Sequence, residues 1–331
     1  MTAPESSIFP KLVCCAKVDT QHESVATNDF YDVKFWPYLL EDGESIFAVA
    51  GTSEIFVCRT VTKGEPTFEI INWWHDTCTK VSANSIAWMK DVPTGKPLLC
   101  VAGGDLRHIT MMDISNGKQV RTLTGHGRNI NELIVSPTAP NILASCSEDF
   151  TIRLWNINPE FASQPCVAIL AGEGHRQPLL SCAFHPNGRW ILSGAMDTAV
   201  ALWAVPSPEV LSRQDTKNDE PAAVTYPHFY SIEVHHNYVD SLAFYGDLII
   251  SRCAQSQNDV SKQHEILMWK IDGFNADEAP PKDIAVPRPG RESRSSFPHE
   301  PLTQGFTRLL SFSMPSTDRF TCDSGCSMWL D

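Results

Sequence analysis

His126, Ser145 and Asp149 are the residue types from which a nucleophilic triad is built, and Trp155 follows six positions after the aspartate. A serine hydroxyl activated by a histidine that an aspartate orients would perform acyl transfer. The same residues recur as His175, Ser193, Asp197 and Trp203, again with four positions from Ser to Asp and six from Asp to Trp. A duplicated set at matched spacing points to a repeated structural unit, and neither serine sits in a G-x-S-x-G elbow. The four residues also suit a buried hydrogen-bonded chain. A buried Asp is costly to desolvate without donors, which His and Ser can supply. The Trp can cover such a chain with apolar area while its N–H donates. No G-x-x-x-x-G-K-[ST], H-E-x-x-H or intact G-x-G-x-x-G occurs, so no catalytic residue and no enzymatic activity are expected.

The elements that must position these residues read as strands. Short β-branched and aromatic runs such as "SIFAVAG", "PLLCVAGG", "NILASCS" and "RWILSGAM" are bounded by Gly, Asn, Asp and Pro turns, and long segments of helical period are absent. Residues 125–157, beginning "GHGRNINELIV", and residues 174–205, beginning "GHRQPLLSCAF", are the two clear copies. A looser copy opens at His235 and ends at Trp269, and two earlier segments keep the strand pattern without the Trp. Internal repetition of this kind separates a propeller from a sandwich or barrel. The pattern resembles the WD-repeat β-propeller, in which each repeat builds a four-stranded blade. It implies an all-β chain of five recognisable blades plus a partial sixth, where seven are usual.

Composition narrows the function classes. Of 331 residues 42% are hydrophobic and 20% charged, and no apolar run approaches the ~20 residues of a membrane-spanning helix. The N-terminus, "MTAPESSIFPKLVCCAKV", lacks a basic leader, so a cleaved secretion signal is not expected. Eleven cysteines never form a C-x-x-C pair. Cys322 and Cys326 come closest without a second pair, so no metal site and no cofactor are expected. Free thiols in this number suit a reducing compartment. A formal charge of −13 argues against direct nucleic-acid binding and suits a cationic peptide partner.

Segment 1–27 precedes the propeller, expected over 28–331. Two stretches interrupt the repeat, polar 206–230 and Pro-rich 272–302, the second read as a flexible surface insertion. Within the latter "RPGRESR" could serve nuclear import, though a solvated linker is the favoured reading. Residues 303–331 read as an incomplete last blade, with Asp323 and Trp329 again six apart. Such a chain either closes its ring unusually or is C-terminally shortened.

Stretches that propeller geometry does not require carry a closer resemblance. "LTGHGRNINELIVSP", "LAGEGHRQPLLS", "YPHFYSIEVHHNYVDSLAFYGDLIIS" and "GFTRLLSFSM" resemble the EED and extra sex combs family, over roughly residues 28–315. That family is the WD-repeat subunit of Polycomb repressive complex 2. The resemblance implies a nuclear, non-catalytic scaffold in chromatin silencing. Its partners would be the catalytic subunit of the histone H3 lysine 27 methyltransferase, the histone H3 tail and other Polycomb subunits, with no membrane. The family reads trimethyl-lysine through an aromatic cage, because a quaternary ammonium offers no hydrogen bond and is recognised by cation–π attraction. Carried over, the cage positions fall on Tyr31, Asn84, Arg308 and Leu309. Only Tyr31 keeps a ring, so methyl-lysine reading is expected to be weak or absent. Asn131 matches a histone-peptide contact, or equally a turn residue that opens a strand. Trp73 and Trp74 are assigned to strand packing. The alternative is a generic WD-repeat adaptor, for example in a ubiquitin ligase. The Arg that often follows the Trp-Asp of such receptors is missing from "WNIN", "WAVP" and "WKID".

Overall fold

The computed structural model describes residues 29–314, apart from 39–43, 53, 62–66, 76–82, 104–105, 213–219, 255–264, 288–291 and 301–302. Segment 1–27, Cys322, Cys326 and the Asp323–Trp329 pair lie outside the described residues.

The chain folds into consecutive antiparallel sheets. The first blade comprises β1 (Phe30–Phe35), β2 (Ile46–Gly51), β3 (Glu54–Val61) and β4 (Thr67–His75). The second comprises β5 (Ser85–Lys90), β6 (Pro97–Gly103), β7 (Leu106–Asp113) and β8 (Lys118–Thr124). Gly117 closes the β7–β8 turn at φ 69°, donating its N–H to Asp113 O at 2.9 Å. Left-handed backbone of this kind favours glycine there. The third blade comprises β9 (Ile130–Val135), β10 (Ile142–Ser147), β11 (Ile152–Asn156) and β12 (Cys166–Leu170). The fourth begins with β13 (Leu179–Phe184), β14 (Trp190–Ala195) and β15 (Val200–Ala204).

After the short helix α1 (Pro208–Leu211), β16 (Ala222–Val224) adds in parallel to β12. Strand β17 (Phe229–Ser231) then completes the fourth blade. The fifth blade follows with β18 (Val239–Tyr245), β19 (Leu248–Cys253) and β20 (Glu265–Ile271). Next, β21 (Ser293–Ser295) pairs back onto β17, and β22 (Phe306–Ser313) pairs with β20.

The inner strands β1, β5, β9, β13 and β18 pack successively, so the blades are arranged as in a propeller. Strands β10 and β14 are buried at every position. A blade covered on both faces by its neighbours turns its second strand into a continuous small-and-apolar run such as "ILASCS". The core lies in the seams between blades. Leu154, Val167 and Ile152 meet Leu179, Ile191 and Trp203 between the third and fourth blades. Trp190 and Leu202 meet Ile249 and Trp269 between the fourth and fifth.

Two expectations about the later segments differ from the structure. The strand Phe306–Ser313, expected to open a partial sixth blade, is the outer strand of the fifth. The edge of β20 offers unpaired backbone groups there, and Phe306 packs against Trp269 and Phe229. The Pro-rich stretch 272–302 is not a free surface insertion over its described part. Arg189 donates to the carbonyls of Ala276, Asp277 and Glu278, Trp190 Nε1 donates to Ala276 O, and Phe297 is buried. Likewise β16 and the first two residues of β17 fall inside the polar stretch 206–230.

The face of the fifth blade turned away from the fourth exposes Leu310 and Phe312 on β22, and the first blade's outer face exposes Phe35 and Trp73. Trp73 stacks on Phe56 at 6.0 Å, whereas Trp74 is half-buried and donates its N–H to Gly117 O.

Candidate functional site

The repeated Ser, His, Asp and Trp form hydrogen-bond relays inside the blades. In the third blade Trp155 Nε1 donates to Ser145 Oγ at 2.8 Å. Ser145 lies 2.7 Å from His126 Nε2, and His126 Nδ1 lies 2.9 Å from Asp149. The fourth blade repeats this from Trp203 to Ser193 (2.9 Å), on to His175 (2.8 Å) and to Asp197 (3.1 Å). The indole N–H donates and the carboxylate only accepts, so the imidazole proton on Nδ1 faces the Asp while the Ser hydroxyl and His Nε2 bond to each other. Each relay ties the loop entering the blade to its second strand, its third strand and the turn between them. Ser145 and Ser193 are fully buried with their hydroxyls committed. An acyl-transfer nucleophile needs an accessible hydroxyl, so these residues hold the blade and do not attack a substrate.

The charges in the relays follow from their surroundings. Burial favours the neutral form of Asp149. The hydrogen bond and charge of His126, with donors from Thr151 and the Gly127 N–H, outweigh it and hold the carboxyl well below its usual range. Asp197 is lowered in the same way, burial being overcome by His175 and the N–H groups of Arg176 and Ala199. Burial lowers His126, and Asp149 only partly offsets this. The fifth blade has a third relay, from Trp269 to Ser251 (2.8 Å) and His235 (2.6 Å). Here His235 Nδ1 has no hydrogen-bond partner among the described residues, and burial followed by the charges of Arg308 and His236 pushes this imidazole down to about 3.

The glycine of the Gly-His step is explained by the same packing. A Cβ on Gly174 would stand 2.5 Å from the Trp203 ring, where side chains cannot approach. Gly174→Ala should therefore displace Trp203 and cost about 1–3 kcal/mol of stability. Urea denaturation checks this, and an unchanged midpoint would show that the indole yields freely.

A second set of bonds runs along the centre, linking the inner strands β1, β5, β9 and β13 in turn. Asp32 on β1 accepts from Ser85 Oγ and the Ile86 N–H of β5. Ser85 accepts the Leu133 N–H of β9, and on β9 Asn131 donates to Leu179 O while Glu132 accepts the Cys182 N–H of β13. Sequence reasoning missed Asp32, Ser85 and Glu132, because their partners are 48 to 54 positions away and carry no repeat. These strands enclose an open central channel of about 640 Å³, walled by side chains such as Lys34, Trp88, Phe184, Phe244 and the Asp240–Arg252 ion pair.

The five positions expected to form a histone-peptide pocket fall in two groups, Tyr31, Asn84 and Asn131 on or next to the inner strands and Arg308 and Leu309 on the outer strand β22. Asn84 and Asn131 line the channel. Tyr31 is half-buried near the start of β1 and is not among the residues lining it. Arg308 and Leu309 stand on β22 at the rim, because that strand pairs with the outer edge of β20 and does not form an inner strand. Arg308 there donates to the carbonyls of Glu233 and Val234, and Leu309 is exposed. Asn131 is committed to the β13 backbone.

Residues 117–156 and 164–204 match the family described as WD domain, G-beta repeat. The chain is 40% identical to the Polycomb protein EED of Chaetomium thermophilum, over 87% of this chain and 50% of that protein. It is 31% identical to the Polycomb protein esc of Drosophila melanogaster, over 79% of this chain and 60% of that one. It superposes with a TM-score of 0.76 and 39% identity on a chain of the Chaetomium thermophilum polycomb repressive complex 2 solved in complex with H3K27me3 and H3K27M, covering 87% of this chain and 59% of that chain. The chain thus spans between half and three fifths of the length of these relatives. The matched spacing of the relays, the stitched inner strands and these likenesses agree: the chain belongs to the EED and extra sex combs family of WD-repeat proteins.

Proposed function

We propose that this chain is a non-catalytic scaffold subunit of a Polycomb repressive complex 2-type histone H3 lysine 27 methyltransferase, working in the nucleus in chromatin silencing. The observation that carries this reading is the likeness, over 87% of the chain, to a chain of that complex. The commitment of every relay serine to structural hydrogen bonds supports the absence of catalysis. Its partners are the methyltransferase's catalytic subunit, the cationic H3 tail and other Polycomb subunits, which suits a net charge of −13.

Trimethyl-lysine reading is weak or absent in this proposal. Asn84 stands on the channel wall where a ring is expected, and the other two replaced positions are on β22 at the rim. Losing two or three rings at about 1 kcal/mol each weakens such binding by one to two orders of magnitude or more. Co-expression with the N-terminal segment of the same organism's methyltransferase should give a soluble 1:1 complex. Calorimetry on it should find trimethylated and unmodified H3 peptides binding within about tenfold of each other. A folded chain that ignores the methyltransferase segment would refute the scaffold role. A methyl preference above tenfold would refute the weak-reader assignment.

A further inference from the structure

Among the described residues, one cluster has the chemistry of a metal site, and it lies outside the relays. Glu132, Cys146 and Cys182 bring a carboxylate oxygen and two sulfurs within 4.8 Å of one another. The fold builds this from two blades. Cys146 on β10 is directly opposite Glu132 on β9, so both side chains leave the third blade on the same face. Cys182 comes from β13 of the fourth blade, and its backbone N–H donates to Glu132 Oε2 at 2.7 Å. Both thiols are free and buried.

A core needing only volume would fill these positions with aliphatic side chains, and a carboxylate against two thiols is a poor substitute for them. For a borderline-soft cation the same donors are well chosen, with zinc–sulfur bonds of ~2.3 Å and zinc–oxygen bonds of ~2.0–2.2 Å. Tetrahedral ligands then stand roughly 3.4–3.8 Å apart, so small side-chain movements would suffice. Glu132 and Cys182 also line the central channel, which supplies an entry path and room for a fourth ligand.

We propose that Glu132, Cys146 and Cys182 form a three-ligand site for zinc or a comparably thiophilic divalent cation, clamping the third blade to the fourth and leaving the fourth coordination position open to the channel. Charge supports the assignment. Two thiolates, one carboxylate and a divalent cation sum to −1, with the Lys34 side chain also on the channel wall. Such cations are bound by thiolate, so each cysteine must give up its proton on binding. Binding forms two metal–sulfur bonds in place of two S–H bonds and releases at least those two protons, with no change of oxidation state.

Cobalt serves as the probe. The purified chain, stripped with a chelator under reducing conditions, should bind one cobalt(II) per molecule with a thiolate-to-cobalt charge-transfer band. A pH indicator should register at least two protons per ion, and zinc should bleach the band. The Cys146→Val, Cys182→Ala double variant should lose the band while keeping its circular dichroism, whereas Cys100→Ala should keep both. Should the double variant not fold, Cys146→Val alone should halve the band, and Glu132→Gln should keep it while lowering cobalt affinity roughly tenfold or more. No band at excess cobalt, or a full band surviving removal of Cys146, overturns the site.

Discussion

Trp155→Ala should lower the unfolding free energy by about 3–5 kcal/mol, among the largest losses available to a single substitution in this chain. The indole is 0% exposed and packs in the seam with Leu143, Leu133 and Met89 of the second and third blades. Truncation removes that apolar area and leaves a cavity that strands fixed by their hydrogen-bond ladders can only partly fill. It also takes the indole donor from Ser145 Oγ, leaving that hydroxyl with His126 alone in the relay. Trp155→Phe separates the two contributions. It keeps most of the ring area and loses only the N–H, so about 1 kcal/mol should remain as its cost. Equilibrium denaturation of both variants reads the result. A cost below about 1 kcal/mol for the alanine variant would mean that the seam closes without the indole.

The second large effect is acid destabilisation that begins well above the carboxylate range. Above pH ~6.5 His235 and His126 are neutral in the folded chain and in the unfolded chain alike. As the pH falls below that, the unfolded chain takes up protons that buried His235, down at about 3, and lowered His126 refuse. Stability that is fully present above the unfolded value is therefore lost as pH falls, by about 1.4 kcal/mol per pH unit for each such group. The loss continues until the folded group itself titrates. Asp149 and Asp197 act in the same direction at lower pH. Their carboxyls are held below the usual range, so protonation below pH ~4 favours the unfolded chain. The denaturation midpoint should be flat above neutrality, decline from about pH 6.5 and steepen below about pH 4. His235→Asn should make the first decline shallower, leaving the part due to His126, and leave the second unchanged. A midpoint constant from pH 7 to pH 5 would show that these imidazoles protonate without leaving their hydrogen bonds.

The relays and the blades that carry them were legible before any coordinates. Ser145, Asp149 and Trp155 lie on two adjacent strands and the turn between them, so their spacing is set by a hairpin and repeats wherever the hairpin repeats. Continuous apolar runs such as those of β10 and β14 likewise announce strands covered on both faces. Family motifs outside the repeat pointed to the same relatives that the whole-chain likeness identifies. The inner-strand bonds, by contrast, were invisible. Asp32 and Ser85, or Glu132 and Cys182, meet only because successive blades bring their first strands together around one centre, and no local period marks such a meeting.

Tertiary structure alone also decided where Phe306–Ser313 belongs. A strand pairs with whichever edge is open, and the edge of β20 claimed it, carrying Arg308 and Leu309 away from Asn84 and Asn131. The Pro-rich stretch looked unbound because its composition is polar. The fourth blade nevertheless captures it through Arg189, Trp190 and the β17–β21 pairing, since backbone carbonyls can be held whatever the side chains beside them. By itself, then, the sequence determined what lies within one blade, where spacing and periodicity report strand, turn and relay directly. What lies between blades was left to packing, where residues from separate repeats become neighbours, and that includes the Glu132, Cys146 and Cys182 cluster.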